Sequence, residues 1–224
     1  MNKPEHQSAH MQGPDAAAHE AFVLFDESSK PRSRAVLDER IMVCPADPSW
    51  PSWFLQETAR LRSVLPGDLV AEIQHIGSTA VPGLDAKPIV DLMVGIGEPG
   101  RIAEVIERLE RLGYESLGEA GVPGRWALRK RDVVQPSNIA IVAHEGEWWK
   151  LNLAVRDFLR ANADAARNYA LAKWHAVSNG ADTLLAYSEA KRASIEMIVA
   201  EARVLSAPDP RAVPRAGPSR SSPN

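Results

Sequence analysis

Gln74-His75-Ile76-Gly77-Ser78-Thr79-Ala80-Val81-Pro82-Gly83-Leu84-Asp85-Ala86-Lys87-Pro88-Ile89-Val90-Asp91-Leu92-Met93-Val94 is the stretch on which the fold turns. Glu72–Ile76 reads as a strand, and Gly77 permits a sharp bend at its end. Ser78 and Thr79 bring hydroxyls and backbone N–H groups to the bend, which suits a phosphate. The bend is not a P-loop, because the Gly-x4-Gly-Lys-Ser/Thr order is missing. Pro88–Ile96 is apolar and β-branched, as a buried strand is. Asp91 interrupts that run. A carboxylate there is costly unless it is paired or holds a metal. The alternation of a strand puts Ile89, Asp91 and Met93 on one face, and Val90, Leu92 and Val94 on the other. An ordinary turn, with Asp91 paired to Lys87, accounts for the same residues.

On either side, helix and strand signals alternate. Trp50, Phe54, Leu61 and Leu65 recur at helical spacing, with Ser49 as N-cap, Pro51 in the first turn and Pro66-Gly67 as the stop. Ile102, Val105, Ile106, Leu109 and Leu112 form one helix face, closed by Gly113. Arg125–Val133 and Asn138–Ala143 read as strands, and the chain from about 148 to 205 is helical in pattern. The order predicts an α+β or α/β domain, a small mixed sheet packed by helices with a C-terminal helical part.

The chain has 224 residues, of which 45% are hydrophobic and 25% charged, as in ordinary globular proteins. Residues 1–38 are polar and hold three of the six histidines; their one apolar run is Phe22–Phe25. Residues 206–224 carry five prolines among Ser, Gly and Arg. Both ends are expected to be disordered, leaving 39–205 as a single folded domain. A net charge of −3 argues against a DNA-coating protein and leaves a nucleic-acid role disfavoured. The single cysteine, Cys44, excludes an intramolecular disulfide or a multi-cysteine metal site. No run approaches the roughly 20 apolar residues of a membrane helix, and the first residues lack the apolar core of a signal peptide. A cytoplasmic location without membrane partners is the expectation.

The sequence resembles the GrpB (UPF0157) family. His75-Ile76-Gly77-Ser78-Thr79-Ala80-Val81-Pro82-Gly83-Leu84, then Ala86-Lys87-Pro88-Ile89-Val90-Asp91, is similar to its signature. Val43–Trp53 resembles the Pro/Trp-rich approach to its first helix. Gly121–Arg125 resembles its Pro-Gly-Arg turn, and Arg156–Arg160 its Arg-Asp-Tyr-Leu-Arg helix. Tyr169 with Lys173, and Tyr187 with Lys191, resemble its two Tyr-x3-Lys helices. The resemblance covers about 40–203 and neither tail.

That resemblance implies a nucleotidyltransferase-like (polymerase-β-like) α+β fold. In that superfamily a Gly-Ser turn holds a triphosphate, and acids on the next strand hold Mg2+. Twelve residues separate Ser78 from Asp91, a fitting interval. The implied ligands are ATP or another nucleotide, with Mg2+ on Asp91. Two departures weaken the match. Met93 stands where the second acid belongs, and a thioether is a poor ligand for Mg2+. Asn138-Ile139-Ala140 replaces a His-x-His run, so Asn138 can bond a ligand but Ala140 cannot.

The candidate catalytic residues are therefore Asp91, Lys87 and His75. The candidate binding residues are Gly77, Ser78, Thr79, Arg125, Asn138, Arg156 and Lys173. His75 shares a strand face with Ile73, so a buried, hydrogen-bonded core histidine is an equal alternative. Arg125, Arg129 and Arg131 would form a stripe on one strand face, with an edge strand guarded by charge as the bland alternative. Arg156 and Arg160 share a helix face, and surface charge is their ordinary fate. Three functions follow. One is transfer of a nucleotidyl group to a small acceptor, including activation of a carboxylate as an adenylate for amide formation. The second is a degraded site that binds a nucleotide, a CoA-like ligand or a protein partner without turnover. The third, a nucleic-acid module, is disfavoured by the acidity.

Overall fold

The computed structural model describes residues 41–206 apart from 121 and 133. The expected leader and all but the first residue of the expected tail lie outside the described residues. Helix α1 spans Trp50–Val64, strand β1 Glu72–Ile76, β2 Val90–Ile96 and helix α2 Ile102–Glu110. Strands β3 (Glu115–Ser116), β4 (Trp126–Lys130) and β5 (Ser137–Ala143) follow. Helices α3 (Glu147–Ala161), α4 (Ala163–Ser178), α5 (Leu184–Ala190) and α6 (Arg192–Ser206) complete the chain.

The five strands form one mixed sheet in the order β1-β2-β5-β4-β3. Its one parallel pair, β2 with β5, is central; β1, β4 and β3 add antiparallel neighbours. The alternation expected in β2 divides the core. Val90, Leu92 and Val94 pack with Ile139, Ile141 and Leu128 against Trp50 and Leu61 of α1, Leu65 just after it, and Val105 and Leu109 of α2. Met93 faces the other way, against Ile76, Val142 and Trp149. Burying each such side chain stabilises by about 1.5–3 kcal/mol. Gly95 shows how tightly α3 is seated, because a Cβ there would lie 2.6 Å from the Trp149 ring. On this second face α3 and α6 pack together, with Val155, Phe158 and Leu159 meeting Ile195, Ile198 and Val199.

Several boundaries differ from the sequence expectation. Ser49 does precede α1, but its hydroxyl makes no capping bond; Asp47 instead accepts from the Ser49 N–H at 2.7 Å. β4 begins at Trp126 and ends at Lys130, shorter than expected at both ends. Arg125 therefore lies on the turn before the strand, and Arg131 beyond it, so the three arginines do not form one strand stripe. Nor is β4 an edge strand, since β3 covers it; Arg129 pairs across to Glu115 of β3 at 2.8 Å. The two-residue β3 is too short to leave a pattern in sequence. The C-terminal helical part divides into four helices.

Candidate functional site

The bend after β1 is a single 3-10 turn, Ser78–Ala80, entered through Gly77 at φ +71° and ψ −171°. Only glycine adopts that conformation readily. It also admits Asp91, because a Cβ on Gly77 would collide with Asp91 Oδ2 and lie 3.1 Å from its Cβ. The register explains the approach, since Ile76 and Asp91 face each other across the β1–β2 ladder. Bend and carboxylate thus share one side of the sheet and one cavity.

That cavity lies between the sheet and the C-terminal helices. Gly77, Ser78, Thr79, Lys87, Asp91, Arg125, Asn138, Arg156 and Lys173 all line it. These are nine of the ten residues expected from sequence. Asp91 and Asn138 are register partners in the central parallel pair, and Asn138 Nδ2 donates to Asp91 Oδ1 at 2.7 Å. Arg131 Nη1 donates to Asn138 Oδ1 at 2.9 Å, orienting the amide. Arg156 reaches from α3 to Gln74 Oε1 at 2.7 Å and to the His75 carbonyl at 3.2 Å. Lys173, 1% exposed, donates from α4 to Ser78 Oγ at 3.1 Å and to the Asp85 carbonyl.

His75 is the exception. One residue before Ile76, it pairs with Leu92 and therefore faces α1, away from the cavity. Its ring stacks on Phe54 at 4.7 Å, and Nε2 lies 3.0 Å from Thr79 Oγ1. Burial, with Arg160 and Arg156 nearby, pushes it down to about 4, so it is neutral at pH 7. The core-histidine alternative describes it, and the catalytic and ligand roles considered for it are corrected. It supports Thr79 from behind. Arg160 likewise bonds outside the cavity, to the Ala80 carbonyl at 2.9 Å. Asp157 is exposed and paired with Arg156 and Arg160, so it is not placed as a base.

Four polar lining residues were not among the expected site residues: Lys191, Tyr187, Tyr169 and Asn152. The Tyr-x3-Lys spacing was the available signal for three of them, because residues four apart share a helical face. The Lys173 ammonium lies 4.4 Å from the Tyr169 ring centre. Lys191 and Lys87 lie 5.0 and 5.8 Å from that of Tyr187. Tyr187 lies on α5 and Lys191 caps its C-terminus, just before α6.

Electrostatics follow from this crowding. Five basic residues line the cavity (Lys87, Arg125, Arg156, Lys173 and Lys191), and Asp91 is the sole acid lining it among the described residues. Burial pushes Lys173 down to about 7, helped by the charge of Lys191. Burial takes Lys191 down to about 8, against the pull of Asp91. Asp91 is raised by burial, while Asn138, Lys87, Lys191 and Arg131 oppose the rise.

A metal centre built from protein ligands does not fit here. Among the described residues, no three His, Cys, Asp or Glu side chains converge on a possible ion. The one carboxylate is bonded to Asn138 and surrounded by cations. The donor set favours an anion.

The molecule is thus defined as an α+β protein with a mixed five-stranded sheet and a cationic cavity between that sheet and its C-terminal helices. The profile of the family described as GrpB protein matches residues 40–201, and the chain belongs to that family. It is 27% identical over 158 residues to the glutamate-rich protein GrpB of Alkalihalophilus pseudofirmus, covering 68% of this chain and 90% of that protein. A UPF0157 protein of Pseudomonas aeruginosa is 38% identical over 154 residues, 63% of this chain and 58% of its own length. Among solved structures, a conserved protein GrpB from Enterococcus faecalis superposes with a TM-score of 0.67 at 33% identity, over 72% of this chain and 96% of that one. Among the described residues no helix is long and apolar enough to cross a membrane.

Proposed function

We propose that the cavity binds an organic phosphate of the nucleotide class. The observation that carries this reading is the meeting of five basic side chains with the Ser78–Thr79 bend around a single acid. In this reading Ser78, Thr79, Lys173 and Lys191 would take phosphate oxygens. Arg125 brings a planar guanidinium to the same charge, and Arg156 adds positive charge while its own donors hold Gln74, the His75 carbonyl and Asp157. Ile76, Ile89, Val155, Leu159 and Ile195 supply apolar walls for the rest of the ligand. Calorimetric titration with ATP, GTP, CoA and inorganic phosphate, each with and without Mg2+, tests the reading. Binding that weakens at least tenfold in Arg125→Ala is expected. Absence of binding by every one of these ligands would overturn it.

Nucleotidyl transfer to a small acceptor is the second reading, and one observation favours it: Asp91 lies directly against the Gly77 bend. The single carboxylate counts against it, and Mg2+ would have to arrive with the triphosphate. Pyrophosphate release from an NTP, abolished by Asp91→Asn, would establish transfer. Nucleotide binding without release, unchanged in Asp91→Asn, would leave a binding domain.

A further inference from the structure

The contacts around Ser78 allow more than the holding of an anion. Lys173 Nζ lies 3.1 Å from Ser78 Oγ, within the reach of a base for the proton it would take. The same amine donates to the Asp85 carbonyl, an acceptor only. With one N–H committed to that carbonyl, the neutral amine can turn its lone pair toward the serine hydroxyl. Tyr169, one turn earlier on α4, places its ring against Lys173 and interacts with the Ser78 side chain. Gly77 fixes the serine at the end of β1, facing the cavity.

We propose that Ser78 is a nucleophile and Lys173 its general base, and that the cavity forms an acyl-serine from an ester bearing a carboxylate or phosphate. The Lys173 amine takes the Ser78 hydroxyl proton as Oγ bonds to the ester carbon. The C–O bond to the alcohol breaks, and the Lys173 ammonium returns the proton to the departing oxygen. Water then attacks the acyl carbon, passes its proton to Lys173, and releases the acid as the Ser78 hydroxyl is restored. Atoms balance as ester plus water giving acid plus alcohol.

The surroundings suit these roles. Burial and Lys191 bring Lys173 to about 7, so a large fraction is neutral at neutral pH. Burial raises the Tyr169 phenol, which keeps it protonated. Lys191, at the C-terminal end of α5, and Asp85 before β2 are the charged groups bearing on Lys173, and Asp91 from β2 bears on Tyr169. Only the substrate's negative charge rests on the nucleotide-class reading of the cavity.

The test is labelling of the full chain with an alkyl fluorophosphonate, followed by intact mass and peptide mapping. One adduct per chain is expected, on Ser78, at a rate that rises through about pH 7. Lys173→Arg keeps the positive charge but cannot serve as a base, so the rate should fall about a hundredfold or more. No Ser78 adduct at pH 9 on folded protein overturns the proposal, as does an undiminished rate in a folded Lys173→Arg. Should that variant not fold, a wild-type rate constant between pH 6 and 9 overturns it equally. Nucleotide titration of the same preparation separates the two readings. Binding without an adduct removes the Ser78–Lys173 pair alone, and an adduct without nucleotide binding supports the pair and removes the nucleotide reading.

Discussion

Replacing Gly77 by alanine probes the contact on which the cavity depends. Two costs arise, and they are separable. The first is backbone strain. At φ +71° and ψ −171° the residue occupies a region essentially reserved for glycine, and a side chain there costs about 2 kcal/mol. The second is steric. The added methyl would collide with Asp91 Oδ2 and approach the Asp91 Cβ to 3.1 Å, and overpacking of this kind costs about 2 kcal/mol. Together they predict a loss of about 4 kcal/mol, which for a domain of this size lowers Tm by about 10 °C. Asp91→Ala removes the colliding oxygen and leaves the backbone strain. In that background Gly77→Ala should cost about 2–3 kcal/mol, a coupling of about 1–2 kcal/mol between the two positions. Thermal and urea unfolding of the wild type, both single variants and the double variant complete the cycle. A Tm shift of less than about 2 °C for Gly77→Ala, or an equal cost in both backgrounds, would show that bend and carboxylate do not meet as described.

Four further outcomes follow from the buried groups. Lys173 and Lys191 titrate near 7 and 8 when folded but near 10.4 when unfolded, so the unfolded chain holds more protons in between and stability should rise with pH from about 7 to 10; Lys173→Met should flatten that rise in urea titrations. An anionic ligand favours the charged form of Lys191, so binding at pH 7.5 should take up protons, seen as a buffer-dependent heat in calorimetry; a heat independent of the buffer would contradict that lysine's place in the site. His75 has its folded value lowered to about 4, so its contribution is lost as pH falls from about 6.5 through 4. His75→Phe keeps a ring against Phe54 and should reduce this acid sensitivity in unfolding curves from pH 7 to 4. Tyr114 donates to Glu57 at 2.9 Å and lies 2.8 Å from Ser137 Oγ in the core under α1. Tyr114→Phe should cost about 1–3 kcal/mol in denaturant unfolding by leaving Glu57 and Ser137 short of a partner, without altering nucleotide binding.

Local chemistry made much of this readable in the sequence. β1 has its expected bounds, Glu72–Ile76, because Gly77 ends it with a conformation other residues avoid. The alternation Val90, Leu92, Val94 against Asp91 and Met93 correctly divides β2 between two cores. What could not be read was set by pairing between distant segments. His75 is adjacent to the bend in sequence, which drew it toward the site. Only the β1–β2 register, aligning Ile76 with Asp91, assigns it to the opposite face. The length of β4 is likewise decided by its partner, since Trp126 to Lys130 are the residues that find register with β5.

The lysines show the same limit from the other side. In sequence, Lys173 is a candidate binding residue and Lys191 an ordinary helix charge, and the usual place of both is the surface. Their tyrosines four residues earlier are the local hint, since each ring shields the face its lysine shares. What removes the lysines from water is the packing of the C-terminal helices over the sheet, held by Phe158 and Leu159 of α3 against Ile195 and Val199 of α6 rather than by the charges. Hydrophobic burial thus supplies the free energy that holds two amines beside each other near an isolated carboxylate. The expense of that arrangement is recovered when an anion enters, because each phosphate or carboxylate oxygen offsets a charge the fold has already desolvated. A chain selected for stability alone would replace Lys173 with an apolar residue. Its retention at 1% exposure, against Ser78, is therefore what ties the helical half of the molecule to the chemistry of the bend.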